Sequence, residues 1–208
     1  MTLNNLEYEQ KLYKEGYNLI AGVDEVGRGP LVGPVVACAV ILPKNYQLDG
    51  LTDSKKLSEK KRNQFYEIIL KDAISVGIGE VSAEEIDEIN IYEASRKAMK
   101  LAIANLSVKP DYILSDAMKL EGDIPCEPII HGDLLSISIS AASVIAKVTR
   151  DNMMIELDKK YPMYEFKSHK GYPTKKHVEA INKYGLIEGY RKTYGPVKEV
   201  IERNKVCK

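Results

Sequence analysis

Apolar residues in the first two-thirds of the chain come in short runs that stop at glycine, proline or an acid. Leu19 to Val23, Val35 to Leu42 and Tyr112 to Ser115 have strand length, and Val76-Gly-Ile-Gly-Glu-Val81 alternates apolar with small or polar residues. Pro128-Ile-Ile-His-Gly-Asp133 reads as a further strand ending in an acid. Helical spacing lies between and after these runs. Ser58 is placed to cap a helix that carries Phe65, Ile68 and Ile69 on one side, and Ser82-Ala-Glu-Glu85 has capping-box spacing ahead of a stripe through Ala94, Ala98 and Leu101 that fades near Leu106. From about Ser138 a long helix opens with Ser138, Ser140, Ala141, Ala142, Ser143 and Ala146, residues small enough for close packing on a sheet. Beyond Tyr161-Pro162 the chain turns to Lys, His, Tyr and Gly, with a helix from Thr174 to Tyr184 stopped by Gly185. The pattern predicts an α/β fold: a sheet domain over 1–150 and a helical C-terminal extension over 151–208 packed on it as one unit.

Composition narrows this picture only a little. The 208 residues suffice for a full core, and 30 Lys+Arg against 30 Asp+Glu give no net charge. Neutrality argues against an indiscriminate nucleic-acid coat, yet it allows a nucleic-acid enzyme whose positive charge is confined to one face. Cys38, Cys126 and Cys207 form no C-x-x-C pair and are expected to be reduced. With no apolar run of about 18 residues and an acidic start, the expectation is a cytoplasmic protein without a membrane span. A monomer is expected, since no sustained exposed apolar stripe calls for a partner.

The candidate chemistry lies at the strand ends. Asp24, Glu25, Asp116 and Asp133 come from three segments, each where an apolar run stops. If these ends are neighbours, four carboxylates converge; at an effective dielectric of 20, like charges at 4 Å repel by about 4 kcal/mol per pair, so the cluster requires protons or cations. Oxygen donors without His or Cys select hard ions, Mg²⁺ or Mn²⁺, and a pair of such ions suits phosphodiester displacement. Gly27, Gly29 and Gly33 follow the first acids and allow close backbone approach, with Arg28 between them as an anion or hydroxyl grip.

Several blocks in one order carry a resemblance to type 2 ribonuclease H: Ala21-Gly-Val-Asp-Glu-Val-Gly-Arg-Gly-Pro30, Asp53-Ser-Lys-Lys-Leu-Ser58, Ile113-Leu-Ser-Asp-Ala117, Gly132-Asp133, Ser140 to Asp151, His169-Lys-Gly-Tyr-Pro-Thr174 and Tyr194-Gly-Pro196. The resemblance implies a ribonuclease H-like mixed sheet flanked by helices. It implies an endonuclease that cuts the RNA strand of RNA/DNA hybrids, and cuts 5′ of a ribonucleotide embedded in duplex DNA, leaving 5′-phosphate and 3′-hydroxyl ends. Carried over by position, Asp24, Glu25, Asp116 and Asp133 would be catalytic metal ligands for two ions. Gly27, Arg28 and Gly29 would sense the 2′-hydroxyl, and Tyr172 would pack on the nucleotide at the ribose-to-deoxyribose junction. Ser54, Lys55, Ser143 and Lys147 are expected to meet the phosphate backbone, with Arg150 a weaker candidate on the same helix side. His131, His169 and His177 are expected to be surface or structural.

Three rivals remain open at this stage. Type 3 ribonuclease H shares the acids but carries an additional N-terminal domain, whereas 19 residues precede the first strand here. A resolvase or integrase-type nuclease would have no use for a 2′-hydroxyl sensor. A binding module without catalysis would not need all four acids.

Overall fold

The computed structural model describes residues 5–206. In chain order the elements are α1 (Glu7–Lys14), β1 (Ile20–Val26), β2 (Val35–Ile41), α2 (Glu59–Asp72), β3 (Ser75–Val81), α3 (Ala83–Ala104), β4 (Tyr112–Asp116), β5 (Cys126–Ile129), α4 (Gly132–Leu135), α5 (Ile137–Lys160), α6 (Phe166–His169), α7 (Lys175–Tyr184) and α8 (Gly195–Val206). The strands form one mixed sheet in the order β3-β2-β1-β4-β5. β1 runs antiparallel to β2 and parallel to β4, and β4 runs parallel to β5.

Strand composition explains how the faces are covered. Gly77 and Gly79 leave β3 bare on one side, where a Cβ would stand 2.1 Å from the Ala102 and Ala98 carbonyl oxygens of α3. The Val76 and Ile78 side chains pack on the other side, in a core built with α2 and α5. Gly22 does the same for α5: a Cβ there would lie 2.0 Å from the Ser138 carbonyl carbon. Helix and sheet therefore meet backbone to backbone, as the small residues of α5 predict. The face toward α3 closes around Val23, Ala37, Ala39, Ile86, Ala98 and Met99.

The expected caps are present: Ser58, Ser82 and Thr174 each accept a hydrogen bond from the backbone amide three residues on. Three boundaries differ from expectation. α3 contains a break at Asn90 (φ 69°, ψ 164°), whose side chain caps the second half by accepting from the Tyr92 and Glu93 amides. β5 ends at Ile129, so Asp133 stands on the short helix α4 rather than on a strand. α5 runs unbroken through residues 150 and 151, so a division at that point falls inside a helix.

The C-terminal segment has a core of its own. Tyr164, Phe166, Ile181, Tyr190 and Val197 close over Leu31, Val32 and Met154, joining the far half of α5 to the loop after β1. A bridge between Val32 and Tyr190 ties the same two regions through backbone. Cys38 and Cys126 are free thiols, and Cys207 lies outside the described residues.

Candidate active site

Sheet register brings the first acids together. Val23 pairs with Ser115 across the parallel β1/β4 ladder, so Asp24 and Asp116 follow side by side at the carboxyl ends of neighbouring strands. Asp116 Oδ1 accepts the Gly132 amide at 2.8 Å, which draws the turn carrying Asp133 onto the end of β4. Ser140 of α5 donates to the Asp133 carbonyl at 2.8 Å and holds α4 against the helix that follows. Glu25 follows Asp24, with Arg28 Nη1 at 3.5 Å from its Oε1.

These carboxylates feel one another. Burial first, then the charges of Glu25 and Asp116, push the Asp24 carboxyl well above the usual aspartate range, while the Ser143 hydroxyl and the Glu25 amide pull it back. Glu25 is raised by burial and by Asp116, against the opposing pull of Arg28. Asp133 is raised by burial, Asp116 and Asp53, with Lys55 opposing. Lys55 in turn is held charged: burial works against it, but Asp24, Asp53, Asp133 and Asp116 together raise its pKa. The arrangement is a chain of acids in which Asp116 acts on Asp24, Glu25 and Asp133; as they stand, no three His, Cys, Asp or Glu groups among the described residues are arranged to hold a metal ion by themselves. An oxygen-only donor set with an excess of negative charge fits hard divalent cations, whose remaining ligands come from water and phosphate.

Other expected contacts turn out to lie beneath this site. Ser54 and Ser143 are buried and their hydroxyls pair at 2.9 Å, so they back Asp24 rather than face a phosphate. Lys147 Nζ is bound to Asp151 at 2.7 Å, and Asp151 also meets Arg62 at 3.9 Å. Arg62 donates to the Ser54 and Leu57 carbonyls, so this network braces the loop that presents Lys55. Lys55 itself is exposed beside the acids.

Arg150 does not reach a ligand at all. It is fully buried and donates to the Pro34, Lys170 and Val32 carbonyls at 3.0–3.1 Å. Gly27, at φ 96°, is glycine for that reason: a Cβ would stand 2.2 Å from Arg150 Nε. The open glycine is Gly29, where a Cβ would meet the Tyr172 ring at 3.4 Å. Tyr172 is 38% exposed and lies across this bare backbone.

Two histidines support that tyrosine. The His169 and His177 rings stack at 4.3 Å. His177 Nδ1 donates to the Tyr172 carbonyl and its Nε2 accepts from the Tyr190 hydroxyl, both at 2.8 Å. His169 Nε2 donates to the Tyr164 carbonyl and its Nδ1 accepts the Gly171 amide. Both are structural; His131 is exposed in a left-handed conformation before α4. The sequence pattern marks neither Asp53 as a neighbour of Asp133 nor Arg191 as a buried arginine that grips the glycine loop. Nothing in Gly-Tyr-Arg-Lys-Thr-Tyr marks Arg191 as buried.

The family model for ribonuclease HII matches residues 21–194, a span that contains every group described above. The chain belongs to the ribonuclease HII family. A ribonuclease HII of Bacillus cytotoxicus is 58% identical over 200 residues, covering 96% of this chain and 77% of that protein. The crystal structure of the ribonuclease H2 from Pyrococcus horikoshii superposes with a TM-score of 0.76 at 28% identity, over 89% of this chain and 98% of that one. A Bst-RNase HIII solved in complex with Mn²⁺ has the same fold, with a TM-score of 0.65 at 17% identity over 93% of this chain and 72% of that one. The chain is thus a metal-dependent ribonuclease, of the family that cleaves RNA in RNA/DNA hybrids. Among the described residues no helix is long and apolar enough to cross a membrane.

Proposed function

We propose that the protein hydrolyses the RNA strand of RNA/DNA hybrids and also incises duplex DNA 5′ of a single embedded ribonucleotide, leaving 5′-phosphate and 3′-hydroxyl ends. The observation that carries this reading is the junction of two features. The acid chain ends at Glu25, Glu25 contacts Arg28, and Arg28 adjoins the bare Gly29 backbone beneath the exposed Tyr172 ring. A cluster of acids and a bare glycine backbone beneath an aromatic ring are thereby joined in a single short segment.

Asp24, Glu25, Asp116 and Asp133 would hold two ions, Mg²⁺ or Mn²⁺, and such a pair when bound supplies an activated water and neutralises charge on the leaving 3′ oxygen. The other roles belong to the chain itself. Lys55, held charged beside the acids, is suited to a phosphate oxygen of the cut strand. Backbone groups at Arg28 and Gly29 are suited to pair with the 2′-hydroxyl, the group that separates RNA from DNA. A site that pairs with this hydroxyl penalises its absence, because each unmet partner costs about 1–3 kcal/mol. Tyr172 packs over the sugar and bars a wrongly seated strand. Ser54, Ser143 and Lys147 act from below, keeping Asp24 and the Lys55 loop in place. On this reading the enzyme acts as a monomer, in the cytoplasm with the nucleic acid.

The test is incubation with Mg²⁺, Mn²⁺ or EDTA on three matched duplexes: all DNA, RNA/DNA hybrid, and DNA with one ribonucleotide. Metal-dependent incision 5′ of the lone ribonucleotide, with the all-DNA duplex intact, is the expected result. Cutting of the hybrid alone would overturn the single-ribonucleotide activity.

A further inference from the structure

Arg191 is fully buried, and its five N–H groups are all spent without a carboxylate. Nε and one Nη2 proton go to the Gly33 carbonyl at 3.1 and 2.9 Å, and the other Nη2 proton goes to the Gly27 carbonyl at 2.6 Å. Nη1 donates to the Arg28 carbonyl at 2.9 Å and to the Tyr194 hydroxyl at 3.1 Å. The Tyr194 hydroxyl itself donates to the same Arg28 carbonyl at 2.6 Å. In a trans peptide the C=O and the following N–H point in opposite directions. Drawing the Gly27 and Arg28 carbonyls inward therefore turns the Arg28 and Gly29 N–H groups outward, toward the Tyr172 shelf.

The segment bearing Arg191 and Tyr194 is fixed from a third direction. Asp87, on α3 ahead of the Asn90 break, accepts the Lys192 amide at 2.7 Å, the Thr193 amide at 2.9 Å and the Thr193 hydroxyl at 2.5 Å. We propose that Arg191 and Tyr194, braced by Asp87, are positioning residues for ribose recognition: they set the orientation of the two amides that read the 2′-hydroxyl. This rests on the proposed role of the glycine loop and adds the groups that aim it. A carbonyl gripped by one guanidinium and one phenol has little freedom to rotate, so discrimination is built in before substrate arrives.

Tyr194→Phe keeps the ring and removes one donor to the Arg28 carbonyl, and Asp87→Ala frees the 192–193 segment from outside the site. For each variant, kcat and KM are measured on duplex DNA with one ribonucleotide, beside the affinity for the all-DNA duplex and the unfolding midpoint. Tyr194→Phe is expected to lower kcat roughly tenfold, and Asp87→Ala several-fold, with all-DNA affinity and unfolding midpoint close to those of the unmodified protein. Unchanged kcat and KM in Tyr194→Phe overturns the proposal, as does a loss of incision matched by an equal loss of all-DNA affinity. Gly29→Pro, which removes the Gly29 N–H, separates this from failure of the ribose-reading loop itself. Incision at the unmodified rate in Gly29→Pro removes the loop's role and the proposal with it, whereas incision lost in Gly29→Pro at an unchanged unfolding midpoint but kept in Tyr194→Phe overturns only the positioning.

Discussion

The two halves of the active site solve opposite electrostatic problems. At the ends of β1 and β4 the chain gathers carboxylates that raise one another's pKa, with Lys55 and Arg28 as cations beside them. Under the glycine loop it buries two arginines, Arg150 and Arg191, and satisfies both with backbone carbonyls. The first region holds an excess of like charge; the second carries its own cations, paired to backbone carbonyls. Under the proposed function the difference would separate reaction from recognition: the acid end keeps an excess of negative charge for cations to meet, and the loop that would hold the ribose is locked in shape.

The largest break in that contrast comes from removing the central acid. Asp116→Asn keeps an oxygen for the Gly132 amide while deleting the charge that raises Asp24, Glu25 and Asp133. Cleavage of a hybrid is expected to fall by roughly a thousandfold. The unfolding midpoint without divalent ions should hold or rise, because a like charge has gone. A variant that still cuts at the unmodified rate would remove Asp116 from the metal-ligand set.

On the other side, a single change should cost stability. Arg150→Met keeps the aliphatic stem but leaves the buried Val32 carbonyl and the half-buried Pro34 and Lys170 carbonyls without their donor. At about 1–3 kcal/mol for each unsatisfied group, partly relieved by relaxation, a loss of about 3 kcal/mol is expected from urea denaturation. A loss under about 1 kcal/mol would mean that the loop does not depend on this grip.

The acid half was far more legible in the sequence than the clamp. An acid at the end of an apolar run announces itself, and Asp116 is the last residue of β4, although β1 runs on through Asp24 and Glu25 to Val26 rather than stopping at Val23. Asp133 was legible as a residue but not in its setting, because four residues of helix after β5 leave no periodic signal. Arg150, Ser143 and Lys147 share one side of α5, a spacing that equally suits a phosphate-facing row and a buried brace. Only the position of the loop after β1 decides between them. Gly27 was read as room for a ligand, but the space it leaves is filled by Arg150. Partners 116 to 166 residues apart cannot be inferred from local pattern, and every bond from Arg150, Arg191 and Tyr194 to the loop after β1 is of that kind.

The smallest effect expected is a pH dependence on the clamp side. Burial, reinforced by the neighbouring His169, lowers the His177 pKa from its ordinary 6.5 to about 4, while hydrogen bonds to Tyr172 and Gly171 oppose the shift. Between those values the unfolded chain takes up a proton that the folded protein refuses. His177 therefore contributes stability that is present above about pH 6.5 and is lost as the pH falls toward 4. His177→Gln has no such titration, so unfolding midpoints of the two proteins should differ most near pH 7.5 and converge toward pH 5. The acid cluster has the reverse sign, since carboxyls with raised pKa destabilise the fold as the pH climbs past the aspartate range, and it is common to both proteins. Subtracting one curve from the other cancels the acids and isolates the imidazole. A difference that stays constant from pH 7.5 to 5 would mean that His177 charges freely in the folded state, and that the stacked pair beneath Tyr172 is looser than its hydrogen bonds imply.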